Sequence, residues 1–291
     1  MALNKRLLLF LVRSRFRLLA LFSKRRAAEA AFHLFTTPQY RNRKEPPALY
    51  KAAESLQFRF QEYDIQGYRW NDGAARSVLI LHGFESSFVN FEQYVQPLIE
   101  RGFCVMGFDA PAHGRSSGEQ MNVRIYMEFI EALRDLYGPI HRFMGHSLGG
   151  LSLCLALEEQ GHTDGARAVL IAAATETSRA IDMYFGFLGL PASLRPAFNQ
   201  FIHDRGGHPV EWFSVARAIR NLNLPILWVH DEDDDMTPLL DVEPVRKANL
   251  PHVQFLITKG LGHRRIYRDP GVVKNVVEFL AARSENEHGL L

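Results

Sequence analysis

The stretch that decides the fold runs from Ile140 to Gln160, IHRFMGHSLGGLSLCLALEEQ, with Gly145-His146-Ser147-Leu148-Gly149 at its centre. Ile140, Phe143 and Met144 read as a short buried strand. Leu148 to Gln160 reads as a helix, with Gly161 as its C-terminal stop. A G-x-S-x-G between strand and helix holds a serine hydroxyl out on a sharp turn. Small neighbours let the chain make that turn and let other groups come close. The helix N-terminus beneath the serine offers free N–H groups and the positive end of a dipole to a developing oxyanion.

A nucleophilic serine needs a base, an orienting acid and an oxyanion hole. Upstream, Ser77 to Leu81 (SVLIL) is a continuous apolar run, the mark of a strand buried on both faces. It leads into His82-Gly83-Phe84-Glu85-Ser86. The backbone N–H groups of Phe84 and Leu148 are the expected oxyanion donors, and His82 reads as a structural histidine. Downstream, Leu224 to His230 (LPILWVH) is a second buried run, ending in the acidic loop Asp231-Glu232-Asp233-Asp234-Asp235-Met236-Thr237-Pro238. A carboxylate there sits at the carboxyl edge of a parallel sheet, where such sheets carry their sites. Val253 to Ile257 is one more strand, followed by the Gly-rich loop Lys259-Gly260-Leu261-Gly262-His263, which makes His263 the candidate base.

With these elements in order, the chain resembles the α/β-hydrolase superfamily. The matching segments are HGFES, FDAPAHGRSSG (Phe108 to Gly118), GHSLGG, HDEDDDMTP and GLGH, together spanning residues 77 to 263. The resemblance implies the acid as well. The family's acid loop follows G-x-x-D-x-x-V-P, and counting back four residues from Pro238 selects Asp234. Asp231 and Thr237 stand where that pattern has glycine and valine. The implied catalytic set is Ser147, Asp234 and His263. Asp109 and His113, in the loop after the strand Phe103 to Phe108, are expected to hold that loop by hydrogen bonds.

The rest of the chain fits an α/β fold with a mostly parallel central sheet flanked by helices. Ser55 to Asn71 alternates as antiparallel edge strands. Phe88 to Arg101 and Asn122 to Tyr137 are helices closed by Gly102 and Gly138, and Ala166 to Ala173 is a strand. Thr175 to Phe213 breaks the rhythm. It holds no buried strand but is rich in apolar and aromatic residues, among them Met183, Tyr184, Phe185, Phe187, Phe198, Phe201 and Trp212. A small helical cap over the serine is expected here, with most of its aromatics packing it together and a few lining an apolar pocket.

The chain of 291 residues is 47% hydrophobic and 23% charged, with a mean hydropathy of −0.14, the profile of a soluble protein with a large core. Cys104 and Cys154 lie among apolar neighbours and read as buried thiols, which fits a cytoplasmic setting. Residues 1 to 44 hold eleven Lys/Arg and one acid, Glu29, a local charge of +10 against +2 for the whole, so the remainder carries −8. The segment up to Phe35 has no proline or glycine and is compatible with one long helix, with Arg6, Arg13, Arg17 and Lys24 on one face. The apolar run Leu7 to Val12 is too short for a membrane span. Two readings stand for residues 1–26: a helix at an anionic membrane surface, or one docked on the protein with its arginines in solvent. The acidic body and the absence of a reader motif exclude nucleic acid.

The domain organisation expected is a basic amphipathic N-terminal helical segment, 1–44, and an α/β-hydrolase domain, 45–285, with a cap insertion over 175–213. No cofactor is expected, and no metal, since the acidic run lacks the alternating ligands and turn glycine of a calcium loop. The activity expected is that of a serine hydrolase cleaving a carboxylic ester with a hydrophobic part. The alternatives are an amidase or peptidase on the same residues, a cofactor-free lyase or perhydrolase, and a non-enzymatic binding protein on the same fold.

Overall fold

Strands form where apolar runs are bounded by turn residues, and eight of them join in a single sheet. The computed structural model describes residues 2–282; Met1 and residues 283–285 of the expected hydrolase domain lie outside the described residues. Strands β1 (Glu54–Phe60) and β2 (Tyr63–Trp70) form the antiparallel edge. Strands β3 (Arg76–Leu81), β4 (Phe103–Phe108), β5 (Arg142–His146), β6 (Arg167–Ile171), β7 (Ile226–Asp231) and β8 (Val253–Thr258) run parallel, in the order β1-β2-β4-β3-β5-β6-β7-β8. The central strands β4, β5 and β7 are buried along their whole length, as crossover helices on both faces require.

The helices are α1 (Ala2–Phe22), α2 (Lys24–Thr36), α3 (Glu92–Glu100), α4 (Val123–Tyr137), α5 (Leu148–Gln160), α6 (Thr177–Leu188), α7 (Arg195–Gly206), α8 (Val215–Ala218), α9 (Glu243–Ala248), α10 (Gly262–Arg265) and α11 (Pro270–Ala281). Val78 and Ile80 of β3 share a core with Tyr94, Val95 and Leu98 of α3 and with Val272, Val276 and Leu280 of α11. Helices α4 and α5 pair with each other. Asn122 starts α4 by accepting the Ile125 N–H at 3.0 Å, as a helix cap should.

The chain divides into two units, Pro38–Thr175 with Val215–Leu291, and Met1–Thr37 with Glu176–Ser214. The first contains the whole sheet. In the second, α1 and α2 join the insertion's helices, so the N-terminal segment and the insertion group together rather than as separate pieces. The N-terminal segment also ends earlier than the expected boundary at 44. Residues 38–44 form neither helix nor strand and belong to the sheet-bearing unit.

The N-terminal segment is two helices, not one. Ser23 is extended (φ −158°, ψ 109°), and its hydroxyl accepts the Arg26 N–H to start α2. A serine that caps a new helix competes with continuing the old one. The insertion's aromatics pack within their own unit: Phe185 against Phe198 (5.3 Å between ring centres), Phe32 against Phe201 (5.2 Å) and Phe35 against Tyr184 (4.9 Å).

Candidate active site

The site is built at the carboxyl ends of β3, β5, β7 and β8. Each strand ends in a loop that delivers one part of it. Ser147 occupies the turn between β5 and α5 with φ 52° and ψ −119°, a backbone conformation that a side-chain-bearing residue adopts only when its surroundings impose it. They do so through hydrogen bonds: Ser147 N–H donates to Ile171 O at 3.0 Å, and its carbonyl accepts the Ala174 N–H at 3.1 Å. Gly149 lets α5 start this close to β3, because a Cβ there would lie 2.6 Å from the carbonyl oxygen of His82.

The three implied residues come together. Ser147 Oγ is 3.0 Å from His263 Nε2, and His263 Nδ1 is 2.8 Å from Asp234 Oδ2. His263 sits in the one-turn helix α10 rather than in an open loop. Its carbonyl is held by His146 Nε2 at 3.0 Å. Burial and the neighbouring His263 press the His146 pKa down to about 3, so His146 is neutral and donates that bond.

Asp234 is buried, which on its own would favour the neutral acid. The bond to His263 and its charge outweigh burial, together with the Thr237 N–H at 2.8 Å and the Thr237 hydroxyl, also at 2.8 Å. They hold the carboxyl below its usual range. Met236 N–H adds a further bond at 2.9 Å. Thr237 therefore supports the acid, a role invisible in its mismatch with the family's valine.

Asp231 departs most from the sequence reading, which grouped it with the other loop acids. It is fully buried and acts as a strut. Its Oδ1 accepts the N–H groups of Asp233 (3.0 Å) and Gly262 (2.9 Å), and its Oδ2 accepts Leu261 N–H (3.1 Å) and the Thr258 hydroxyl (2.6 Å). The carboxylate thus ties the acid loop to the residues just before His263. Burial opposes its ionisation, but these donors prevail and its pKa is lowered. Strand-end position and four waiting donors explain why an aspartate replaces glycine here.

The His-Gly loop lies against the elbow. A Cβ on Gly83 would fall 2.9 Å from Ser147 Cβ. Neither the Phe84 nor the Leu148 N–H has a hydrogen-bond partner among the described residues. His82 is structural by its bonds: Nε2 accepts the Ala110 N–H at 2.9 Å and Nδ1 donates to Gly83 O at 2.7 Å. Asp109 takes the N–H groups of Phe88 and Arg115, and His113 Nε2 takes that of Glu85 at 3.0 Å. Both hold loops, as expected. Cys104 and Cys154 are buried free thiols.

A cavity of about 390 Å³ opens at Ser147 and His263. The residues that line it belong to the sheet-bearing unit. Tyr40, Phe84, Met236 and Tyr267 give it apolar surface. Lys44, Arg264 and Arg268 add three cations, against one carboxylate, Glu85. The 38–44 segment that brings Tyr40, Asn42 and Lys44 is strapped down. Gln39 N–H donates to Glu85 Oε1 at 2.8 Å, and the Arg41 guanidinium donates to the carbonyls of Ser116 and Gly118. Sequence reasoning missed this strap because an irregular, mostly polar segment has no periodicity. The prolines that bracket it, Pro38, Pro46 and Pro47, were the available signal.

Residues 73–205 match the family model described as serine aminopeptidase, S33. The uncharacterized protein YqkD of Bacillus subtilis is 24% identical over 245 residues, 75% of each chain. Among solved structures, the Pyrococcus furiosus esterase Pf2001 superimposes with a TM-score of 0.60 at 22% identity, over 84% of this chain and 97% of that one. A bromoperoxidase from Bacillus anthracis does so with a TM-score of 0.57 at 16% identity, over 79% of this chain and all of that one. Strand order, elbow and loop positions agree with these likenesses, and the chain has the α/β-hydrolase fold.

Proposed function

We propose that the protein is a serine hydrolase that cleaves a carboxylic ester through an acyl-enzyme on Ser147. The observation that carries this reading is the continuous hydrogen-bonded path from Ser147 Oγ through His263 to Asp234. His263 Nε2 takes the hydroxyl proton as Oγ attacks the carbonyl, then returns it to the leaving alkoxide. Asp234 fixes the tautomer and stabilises the imidazolium. The Phe84 and Leu148 N–H groups receive the oxyanion. Water then enters, gives its proton to His263, and releases the acid.

The cavity favours an ester with an apolar part, seated on Tyr40, Phe84, Met236 and Tyr267, and with a negatively charged group for Lys44, Arg264 and Arg268. The family match favours a second reading, cleavage of an amide or short peptide. An aminopeptidase needs a carboxylate for the substrate's ammonium group. Glu85, the cavity's one carboxylate, already accepts from Gln39 and is outnumbered by cations, so the ester reading is preferred. The test is a p-nitrophenyl ester series, neutral and carboxylate-bearing, beside aminoacyl p-nitroanilides. Wild type should cleave the esters, with higher kcat/KM for the carboxylate-bearing ones, and Ser147→Ala should cleave none. Preference for the anilides would hand the site to the peptidase reading.

A further inference from the structure

Helix α1 exposes an apolar face. Leu7, Phe10, Leu11, Leu18, Leu21 and Phe22 are all exposed, the last two at 83%. At 100° per residue these six side chains fall within about 120° of the helix circumference. The opposite side is spoken for: Phe16, half a turn away, is 4% exposed, and Arg13 donates to Phe187 O at 2.7 Å. Arg15 and Arg17 are exposed about 80° to either side of the stripe's centre. Lys24, Arg25 and Arg26 are exposed immediately past its end. Residues 1–26 carry eight Lys/Arg and no acid.

An exposed stripe this long calls for a partner that is apolar at its centre and negative at its flanks. A second copy of the chain would bring arginine against arginine, with no acid in residues 1–26 to offset them. Neither α1 nor any other described helix is long and apolar enough to cross a bilayer. We infer that α1 lies in the surface of an anionic lipid bilayer, leucines and phenylalanines among the acyl chains and arginines at the headgroups. Guanidinium groups on long stems reach the phosphates while their methylenes extend the buried surface. The structure thereby sharpens the choice the sequence left open. The inner side of α1 docks on its own unit, and the outer side is built for lipid.

The test is cosedimentation of the full-length protein with vesicles of equimolar phosphatidylserine and phosphatidylcholine, and with phosphatidylcholine alone. Wild type should bind the anionic vesicles at least about tenfold more than the neutral ones, and less as salt rises. Leu18→Glu/Leu21→Glu/Phe22→Glu and, separately, Arg15→Glu/Arg17→Glu should each lose at least about tenfold of that binding. Both variants alter only exposed side chains, so hydrolysis of a soluble ester should match wild type and report that they fold. Wild type that ignores anionic vesicles, variants that bind as wild type does, or equal binding to neutral vesicles would overturn the inference. So would a wild-type dimer in light scattering that the triple variant makes monomeric while vesicle binding is nil, since the stripe would then be a self-interface.

Discussion

The serine elbow and the acid loop meet at one sheet edge but are held in different ways. At the elbow the constraint lies in the backbone. Ser147 takes its strained conformation from bonds to Ile171 and Ala174, and Gly149 touches the His82 carbonyl where no side chain fits. In the acid loop the constraint lies in side chains. Asp231 gathers Asp233, Leu261, Gly262 and Thr258, while Asp234 gathers Met236, Thr237 and His263. Two buried carboxylates three residues apart therefore do separate jobs. One is bonded to the His263 imidazole, and the other fixes the segment that carries His263.

That contrast can be broken most directly at Asp234. Asp234→Asn leaves serine and histidine in place but offers His263 the wrong partner, and turnover should fall by about four orders of magnitude with the fold intact. Asp231→Asn should fall much less, by about tenfold to a hundredfold, because it loosens the 261–263 segment without touching the imidazole's partner. It should also lose about 3 kcal/mol of stability in denaturant titration, since two donors to a buried charged acceptor lose their partner. Equal kinetic losses in the two variants, with no stability loss in the second, would erase the distinction between orienting acid and strut.

A smaller effect appears with pH and comes from the elbow side of the comparison. Burial lowers the pKa of both His146 and His113 from 6.5 to about 3. The folded protein therefore keeps them neutral where the unfolded chain protonates them. Their stabilising contribution is complete above pH 6.5 and is lost as pH falls from 6.5 toward 3. At pH 5 each should cost about 2 kcal/mol relative to neutral pH. His146→Gln should flatten that slope between pH 6.5 and 5, measured by urea midpoints. A slope unchanged by the substitution would mean that His146 is protonated in the folded state.

These mechanisms explain what could be read in advance. Backbone constraints leave glycines at fixed offsets and buried parallel strands leave apolar runs, so the elbow, β3, β7 and β8 were legible from residues alone. Side-chain constraints leave no spacing signature. Nothing in DEDDD distinguishes Asp231 from Asp233; only the donors waiting on Leu261 and Gly262 do, and they arrive 30 and 31 residues later. The break at Ser23 was hidden by good helix formers on both sides, although a serine before three cations is a recognisable cap. The cationic lining was hidden because Lys44 and Arg264 lie 220 residues apart in sequence and meet at one cavity only through the strap on residues 38–44.

The central claim is that Ser147 is an activated nucleophile, and intact-mass measurement after treatment with a fluorophosphonate tests it most directly. One adduct per chain is expected, mapped to the peptide bearing Ser147, absent in Ser147→Ala and strongly slowed in Asp234→Asn. Labelling that persists in Ser147→Ala, or a wild type that takes no label while properly folded, would contradict it.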